Sequence, residues 1–222
     1  MSKTLVLGLV GGLGVLVLMG AVLFGCAGRW DLPMFWAYLG VWAAAMVIAL
    51  LVIDEGLIKE RTRPGPGGKD YATAMVLTPL WLGQNIAAAL DVGRYHWSDS
   101  VPPVVQAIGL AAMVAGAAVL VWAEAVNRFF SPVIRIQTER GHHVITTGPY
   151  AYVRHPGYAS SPFLFIGGGL VLGSWTAALI GLFLIVPLVI RTVREDRILH
   201  DQLEGYAAYA QKVRYRLVPG VW

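Results

Sequence analysis

Hydrophobic positions along this chain fall into long unbroken runs rather than alternating with polar ones. Runs of spanning or near-spanning length cover residues 5–26, 34–53, 72–90, 104–123 and 158–190. About 20 apolar residues cross the hydrocarbon core as a helix, so each of the first four predicts one transmembrane helix. The last is too long for one perpendicular helix. The segment "GGGLVLGSW", residues 167–175, offers a turn within it. It predicts a helical hairpin with limbs 158–172 and 175–191, the first limb short and partly buried or tilted. The expected fold class is all-α: a polytopic bundle of about six transmembrane helices, the last two forming a hairpin. The third helix is the least regular, because Gln84 and Asn85 interrupt it and Pro79 can kink it. The stretch 61–68, "RTRPGPGG", reads as a connector.

After Arg191 the pattern changes. Leu199, Leu203, Tyr206, Ala210 and Val213 recur at spacings of four, three, four and three. That predicts one amphipathic helix of about 20 residues, ended by Pro219, which covers the polar face of the bundle or lies on the membrane surface.

Composition agrees. The chain of 222 residues is 57% hydrophobic and 14% charged, with mean hydropathy +0.63. A soluble domain carries about a quarter charged residues, so an integral membrane protein is expected. The net charge of +4 and pI near 9.3 would suit a nucleic-acid partner in another setting. Here the basic residues track topology instead, and no nucleic acid is expected. With both termini inside, the cytoplasmic side receives Lys3, Lys59, Arg61, Arg63, Lys69, Arg128, Arg135, Arg140, Arg154, Arg191, Arg194, Arg197, Lys212, Arg214 and Arg216. The opposite side receives Arg29 and Arg94. That is the positive-inside pattern, and a five-helix path would break it. Trp30, Trp36, Tyr71, Tyr95, Trp97 and Trp175 fall near predicted interfaces, as an aromatic belt does. The single cysteine, Cys26, allows neither an internal disulfide nor a thiolate metal cluster.

The chain reads as a single membrane domain, with residues 1–123 supplying transmembrane helices and 124–222 the candidate chemistry. The dense polar stretches, 124–156 and "RTVREDR" from Arg191, are separated by one hairpin. A hairpin goes out and returns, so topology brings Arg154, His155 and Tyr158 close to Arg191, Glu195 and Asp196. Plainer readings stand beside this. An Arg-His pair before a membrane helix can be an interfacial anchor, and Pro156 suits a first helical turn. Arg191 and Glu195, four apart, can form a surface ion pair worth about 0.3–0.5 kcal/mol. His142, His143, His155 and Glu195 match no established metal spacing, and no metal is expected. Glu124, costly near the end of a span unless paired, has Arg128 four residues on as the expected partner. There is no dinucleotide fingerprint, P-loop or nucleophile elbow.

The paired motif "TTGPYAYVRHPGY" and, after the apolar hairpin, "RTVRED…GYAAYAQKVRYRLVPG" resembles the isoprenylcysteine carboxyl methyltransferase family and its phospholipid methyltransferase relatives. "NRFFSPVIRIQTERGHHV" and "LDVGRYHW" look like bacterial members. The resemblance covers roughly the C-terminal 100 residues well and the first three helices loosely. It implies S-adenosylmethionine binding without a Rossmann domain, with S-adenosylhomocysteine as product. Carried onto this chain, the cofactor contacts would be Gln137, His142, His143, Val144, Ile145, Tyr150, His155, Pro156, Gly157, Tyr158 and Glu195. Arg191 would face the substrate, and Asp196 stands where Glu is common. Arg191, Glu195 and Asp196 are therefore the candidate catalytic residues. The expected acceptor is a lipophilic molecule entering from the bilayer, a carboxylate first, then a lipid amine or a thiol. The expected setting is a bacterial inner membrane with the site on the cytoplasmic side; the oligomeric state is not legible. Two other classes stay open. One is a sterol-reductase-like NADPH enzyme, for which no basic trio beside "RHP" provides a 2′-phosphate site. The other is a non-catalytic lipid-binding scaffold, which would not need "RHPGY" to converge on Arg191 and Glu195.

Overall fold

The computed structural model describes residues 2–62, 65, 71–98 and 100–222, with Tyr71 described by its backbone alone. Arg63, Lys69, the Tyr71 ring and most of the 61–68 connector lie outside the described residues.

The described chain is helical. The elements are α1 (Lys3–Ala27), α2 (Pro33–Val52), α3 (Glu55–Thr62), α4 (Tyr71–Leu90), α5 (Pro103–Val126), α6 (Pro156–Ala159), α7 (Ser161–Val171), α8 (Trp175–Gln202) and α9 (Tyr206–Lys212). α4 runs on into a wider π turn, Asp91–Tyr95. Among the described residues, five helices are long and apolar enough to cross a membrane: α1, α2, α4 with its π extension, α5 and α8. This is an integral membrane bundle, and its outside carries the apolar side chains. Val17, Leu51 and Met75 are 70–79% exposed, the reverse of a water-soluble surface.

Local chemistry sets the helix ends. The Ser2 hydroxyl accepts the Leu5 N–H at 3.2 Å, and Ser174 does the same for Ala177 at 3.0 Å. Pro33 and Pro103 open α2 and α5, where a missing N–H costs nothing. The expected interruption at Gln84 and Asn85 does not occur. Gln84 is buried and donates to the Phe165 carbonyl at 2.6 Å and the Ala177 carbonyl at 3.0 Å. It ties α4 to α7 and α8 by interhelical hydrogen bonds.

The hairpin is present, but its first limb is broken. α6 is a single turn, Ser160 offsets it from α7, and α7 has 11 residues. α7 lies inside the bundle against α5 and α8. Small residues let it approach: a Cβ on Gly109 would sit 2.7 Å from Leu170, and one on Gly169 would sit 2.3 Å from the Ala178 nitrogen. The hairpin turns at Gly173, whose φ of +78° suits glycine.

The single C-terminal amphipathic helix is corrected. α8 continues about three turns past the apolar run to Gln202, and the chain then breaks at Leu203–Gly205. Gly205, at φ +80°, takes a left-handed conformation and starts α9 at a new angle. The apolar face still closes on itself: Leu203, Tyr206 and Tyr209 are buried together, with Leu199, Ala210, Val213, Ile136 and Val144 against them.

Candidate active site

α6 and the polar half of α8 meet at one end of the bundle, as hairpin topology requires. Asp196 lies at their junction, 5% exposed. Its carboxylate accepts Arg154 twice, Nε at 2.8 Å and Nη2 at 3.1 Å. It also accepts the Tyr206 hydroxyl at 2.8 Å, Arg216 Nε at 2.8 Å and the His155 Nε2 at 3.2 Å. With the lone pairs so occupied, Asp196 is a hub that joins three segments. Those are the "RHP" turn, α9 and the C-terminal strap. The strap also pairs with the turn through backbone: Arg154 N–H to the Tyr215 carbonyl and His155 N–H to the Arg216 carbonyl, both 2.9 Å. Arg154 Nη1 adds bonds to the Val213 and Arg214 carbonyls at 2.9 and 2.8 Å.

Beside this hub, the Tyr158 hydroxyl of α6 stands between two charged residues of α8. It accepts from Arg191 Nε at 2.6 Å and donates to Glu195 Oε2 at 2.7 Å. Arg191 also donates to the Pro132 carbonyl at 2.8 Å. A half-buried tyrosine thus bridges Arg191 and Glu195.

A cleft opens above these groups, with about 730 Å³ of free space counted out into its open mouth. Its walls come from the loop after α5, the His142–Ile145 strip, Tyr150, the Arg154–Tyr158 turn, Glu195 on α8, and Leu203, Tyr206 and Tyr209. The structure thus brings His142, His143, Val144, Ile145, Tyr150, His155, Gly157, Tyr158 and Glu195 to one cavity. Gln137, Pro156, Arg191 and Asp196 stand just behind its wall. Gln137 is 1% exposed; its amide donates to the Phe129 carbonyl at 2.8 Å, and its own N–H reaches His142 Nδ1 at 3.2 Å. Pro156 is fully buried as the first residue of α6.

Phe129 organises one wall. His142 stacks on its ring at 4.4 Å and His143 meets it edge-on at 5.1 Å. Burial, then the neighbouring His143, Arg135 and Arg140 charges, push the His142 imidazole down to about 4. The ring is therefore neutral at pH 7, as its acceptor role toward Gln137 requires. The sign of the pH dependence follows. Between about pH 6.5 and 4 the unfolded chain takes up this proton before the folded chain does, so stability falls as pH falls through that window. His142→Gln should flatten that slope in thermal unfolding followed against pH. An unchanged slope would count against a half-buried neutral His142.

Sequence reasoning did not single out several of these groups. Asn127 donates to the Tyr150 hydroxyl at 3.0 Å, and the Tyr209 hydroxyl donates to the Tyr150 carbonyl at 2.7 Å. Burial raises the Tyr150, Tyr206 and Tyr209 hydroxyls above their usual range, so all three stay protonated as donors. Beneath the loop, Arg135 holds Glu60 from two donors at 3.0 and 2.9 Å and Glu139 at 2.6 Å. Burial opposes ionisation of Glu60, but Arg135, the Gly65 N–H and Ser131 outweigh it and keep the carboxyl below its usual range. The tyrosine spacing 206–209 is the one sequence signal for this wall. The expected Glu124–Arg128 pair is corrected: Glu124 pairs with Arg61 at 2.6 Å, and the Arg128 guanidinium lies over the Phe129 ring at 5.8 Å. Among the described residues, no group of three His, Cys, Asp or Glu is placed to hold a metal ion.

Residues 107–201 match the sequence model of the isoprenylcysteine carboxyl methyltransferase (ICMT) family. The fold is similar to a solved structure described as the eukaryotic intramembrane Ras methyltransferase ICMT without a monobody. The TM-score is 0.60 at 16% identity, over 92% of this chain and 74% of that one. No curated protein sequence matches this chain.

Proposed function

We propose, starting from a chain that matches the isoprenylcysteine carboxyl methyltransferase family over residues 107–201 and shares that fold, that it is a membrane methyltransferase using S-adenosylmethionine on a lipophilic acceptor. The observation that carries this is the cleft itself, where "RHPGY", the His142–Ile145 strip and Glu195 meet around one cavity. Its chemistry fits the cofactor. Tyr150, Tyr158, Tyr206 and Tyr209 line the cleft, and an aromatic ring beside a cationic sulfonium is worth about 0.5–2 kcal/mol. Glu195 supplies a carboxylate for an ammonium or ribose hydroxyls. Gln137 and Pro156 act from behind, one fixing His142 and Phe129, the other starting the turn that carries Gly157 and Tyr158. When bound, the cofactor supplies an electrophilic methyl group.

The acceptor type supported first is a carboxylate, as in the family's name. A carboxylate oxygen is already a nucleophile, so no general base is required. The work left to the protein is alignment of the attacking oxygen about 3–3.5 Å from the methyl carbon. Arg191, held by Tyr158, is the cation for orienting it, and Asp196 acts as a positioning residue. The site would open to the cytoplasmic face of a bacterial inner membrane.

Calorimetry on the detergent-solubilised protein tests this. S-adenosylhomocysteine should bind and NADPH should not; no heat with the former in folded protein would refute the reading. His155→Ala and Glu195→Ala should each weaken S-adenosylhomocysteine at least 10-fold, while Arg191→Lys keeps that affinity and lowers turnover. Equal loss of affinity in all three would overturn the division of roles.

A further inference from the structure

The helix α3 lies outside residues 107–201, yet it is fastened to the bundle at several points. Its Leu57 and Ile58 are buried with Ile53, against Leu5 of α1, Leu50 of α2 and Phe130. Its Arg61 pairs with Glu124 of α5 at 2.6 Å. The same helix carries Glu60, which is 5% exposed.

Glu60 uses both carboxylate oxygens. Oε1 accepts from Arg135 Nε at 3.0 Å and from the Ser131 hydroxyl at 3.1 Å. Oε2 accepts from Arg135 Nη2 at 2.9 Å and from the Gly65 N–H at 3.3 Å. One oxygen therefore grips both ends of the segment from Ser131 to Arg135, a stretch that belongs to the cleft wall. The segment is also folded on itself, because the Val133 N–H donates to the Ser131 hydroxyl at 3.2 Å.

Between those two grips lies Pro132, whose ring fixes its φ. Its carbonyl accepts from Arg191 Nη2 at 2.8 Å, while Arg191 Nε donates to the Tyr158 hydroxyl at 2.6 Å. A guanidinium is planar, so contacts at two of its nitrogens fix its plane as well as its place. One of these contacts comes from α6. The other comes from a turn that Glu60 holds. A buried ion pair that merely anchored a loop could fall anywhere along it. This one takes hold on the residue directly before Pro132 and again three residues after it.

We infer that Glu60 is a positioning residue for Arg191: it holds the Ser131–Arg135 turn so that the Pro132 carbonyl sets the guanidinium. The inference rests on the methyltransferase reading for what Arg191 orients, and it extends the working site to a helix of the N-terminal half.

The test needs no acceptor. Arginines of the full chain in nanodiscs are labelled with phenylglyoxal, and the rate at each is read by peptide mass spectrometry. Arg191 and Arg154 are 7% and 8% exposed, so both should label slowly, and Arg154 in the Asp196 hub reports general loosening. Glu60→Gln leaves Arg135 paired with Glu139 at 2.6 Å, so no buried guanidinium is stranded. Labelling follows local opening, and Glu60→Gln should speed it about fivefold or more at Arg191 while Arg154 stays within about twofold. Ser131→Ala should move Arg191 in the same direction by less. Glu139→Gln, which removes the half-exposed partner of Arg135, should move neither. S-adenosylhomocysteine affinity, measured by calorimetry on the same proteins, should stay within about threefold in Glu60→Gln, since the turn is fixed chiefly toward Arg191. An unchanged Arg191 rate in Glu60→Gln would overturn the inference. So would equal acceleration at Arg191 and Arg154, which would make Glu60 a general anchor. Absent S-adenosylhomocysteine binding in the unsubstituted protein would remove the methyltransferase reading, while the coupling of Glu60 to Arg191 would still be read from the labelling rates.

Discussion

Asp196→Ala should cost about 3–5 kcal/mol of stability, the usual penalty for removing one member of a buried ion pair. It should also abolish cofactor binding. The carboxylate neutralises two guanidiniums, Arg154 and Arg216, and accepts from His155 and Tyr206. Without it, Arg154 stays buried beside no anion, and the strap loses its charged anchor. The expected readouts are a lower unfolding temperature, faster proteolysis after Lys212 or Arg214, and no calorimetric signal with S-adenosylhomocysteine. Asp196→Asn should behave almost as badly, because the amide keeps the shape but not the charge. Asp196→Glu should be mild, since it keeps both the charge and the acceptors. A variant with Ala at this position that binds the cofactor normally would show that the hub does not hold the cleft.

Tyr158→Phe should act differently, on turnover rather than on affinity. The ring remains, still stacked near His155 at 6.0 Å between centroids. What goes is one hydroxyl and two charge-assisted hydrogen bonds, to Arg191 and Glu195. Those two side chains lie one turn apart on α8, so they can then pair directly and leave their set positions. A misplacement of about 1 Å can cost on the order of 100-fold in rate. Turnover is therefore expected to drop about 100-fold, with S-adenosylhomocysteine affinity falling less than 10-fold. A parallel drop in both would mean that Tyr158 serves the cofactor alone.

The membrane helices were legible because each needs only a run of apolar residues, a local property. The convergence of "RHPGY" on Arg191, Glu195 and Asp196 was legible for a different reason: a hairpin's two ends must lie at one surface. Three features were not. The α6–α7 break leaves no mark in hydropathy, because Ser160 satisfies its hydroxyl on the Gly157 carbonyl inside the chain's own turn. The break at Gly205 preserves the apolar spacing, so periodicity alone continues one helix through it. The partner of Glu124 is 63 residues away on α3, and nothing local competes with Arg128 until packing places Arg61 beside it. Glu195 and Asp196 were separated in sequence by the family resemblance alone; burial supplies the physical reason, placing one in the hub and the other in the cavity.

The strap has a consequence for how the protein is made. Arg154 is held by the Arg214 carbonyl 60 residues later, with a membrane hairpin between them. A chain emerging from the ribosome can insert all its apolar helices and still have no cleft, because the backbone partners of Arg154 and His155 have yet to be translated. Contacts this distant in sequence form late and slowly. The bundle is thus expected to be membrane-inserted but inert until the 213–216 strap folds back, so ligand capture by arrested chains of increasing length should switch on abruptly once Arg216 clears the exit tunnel.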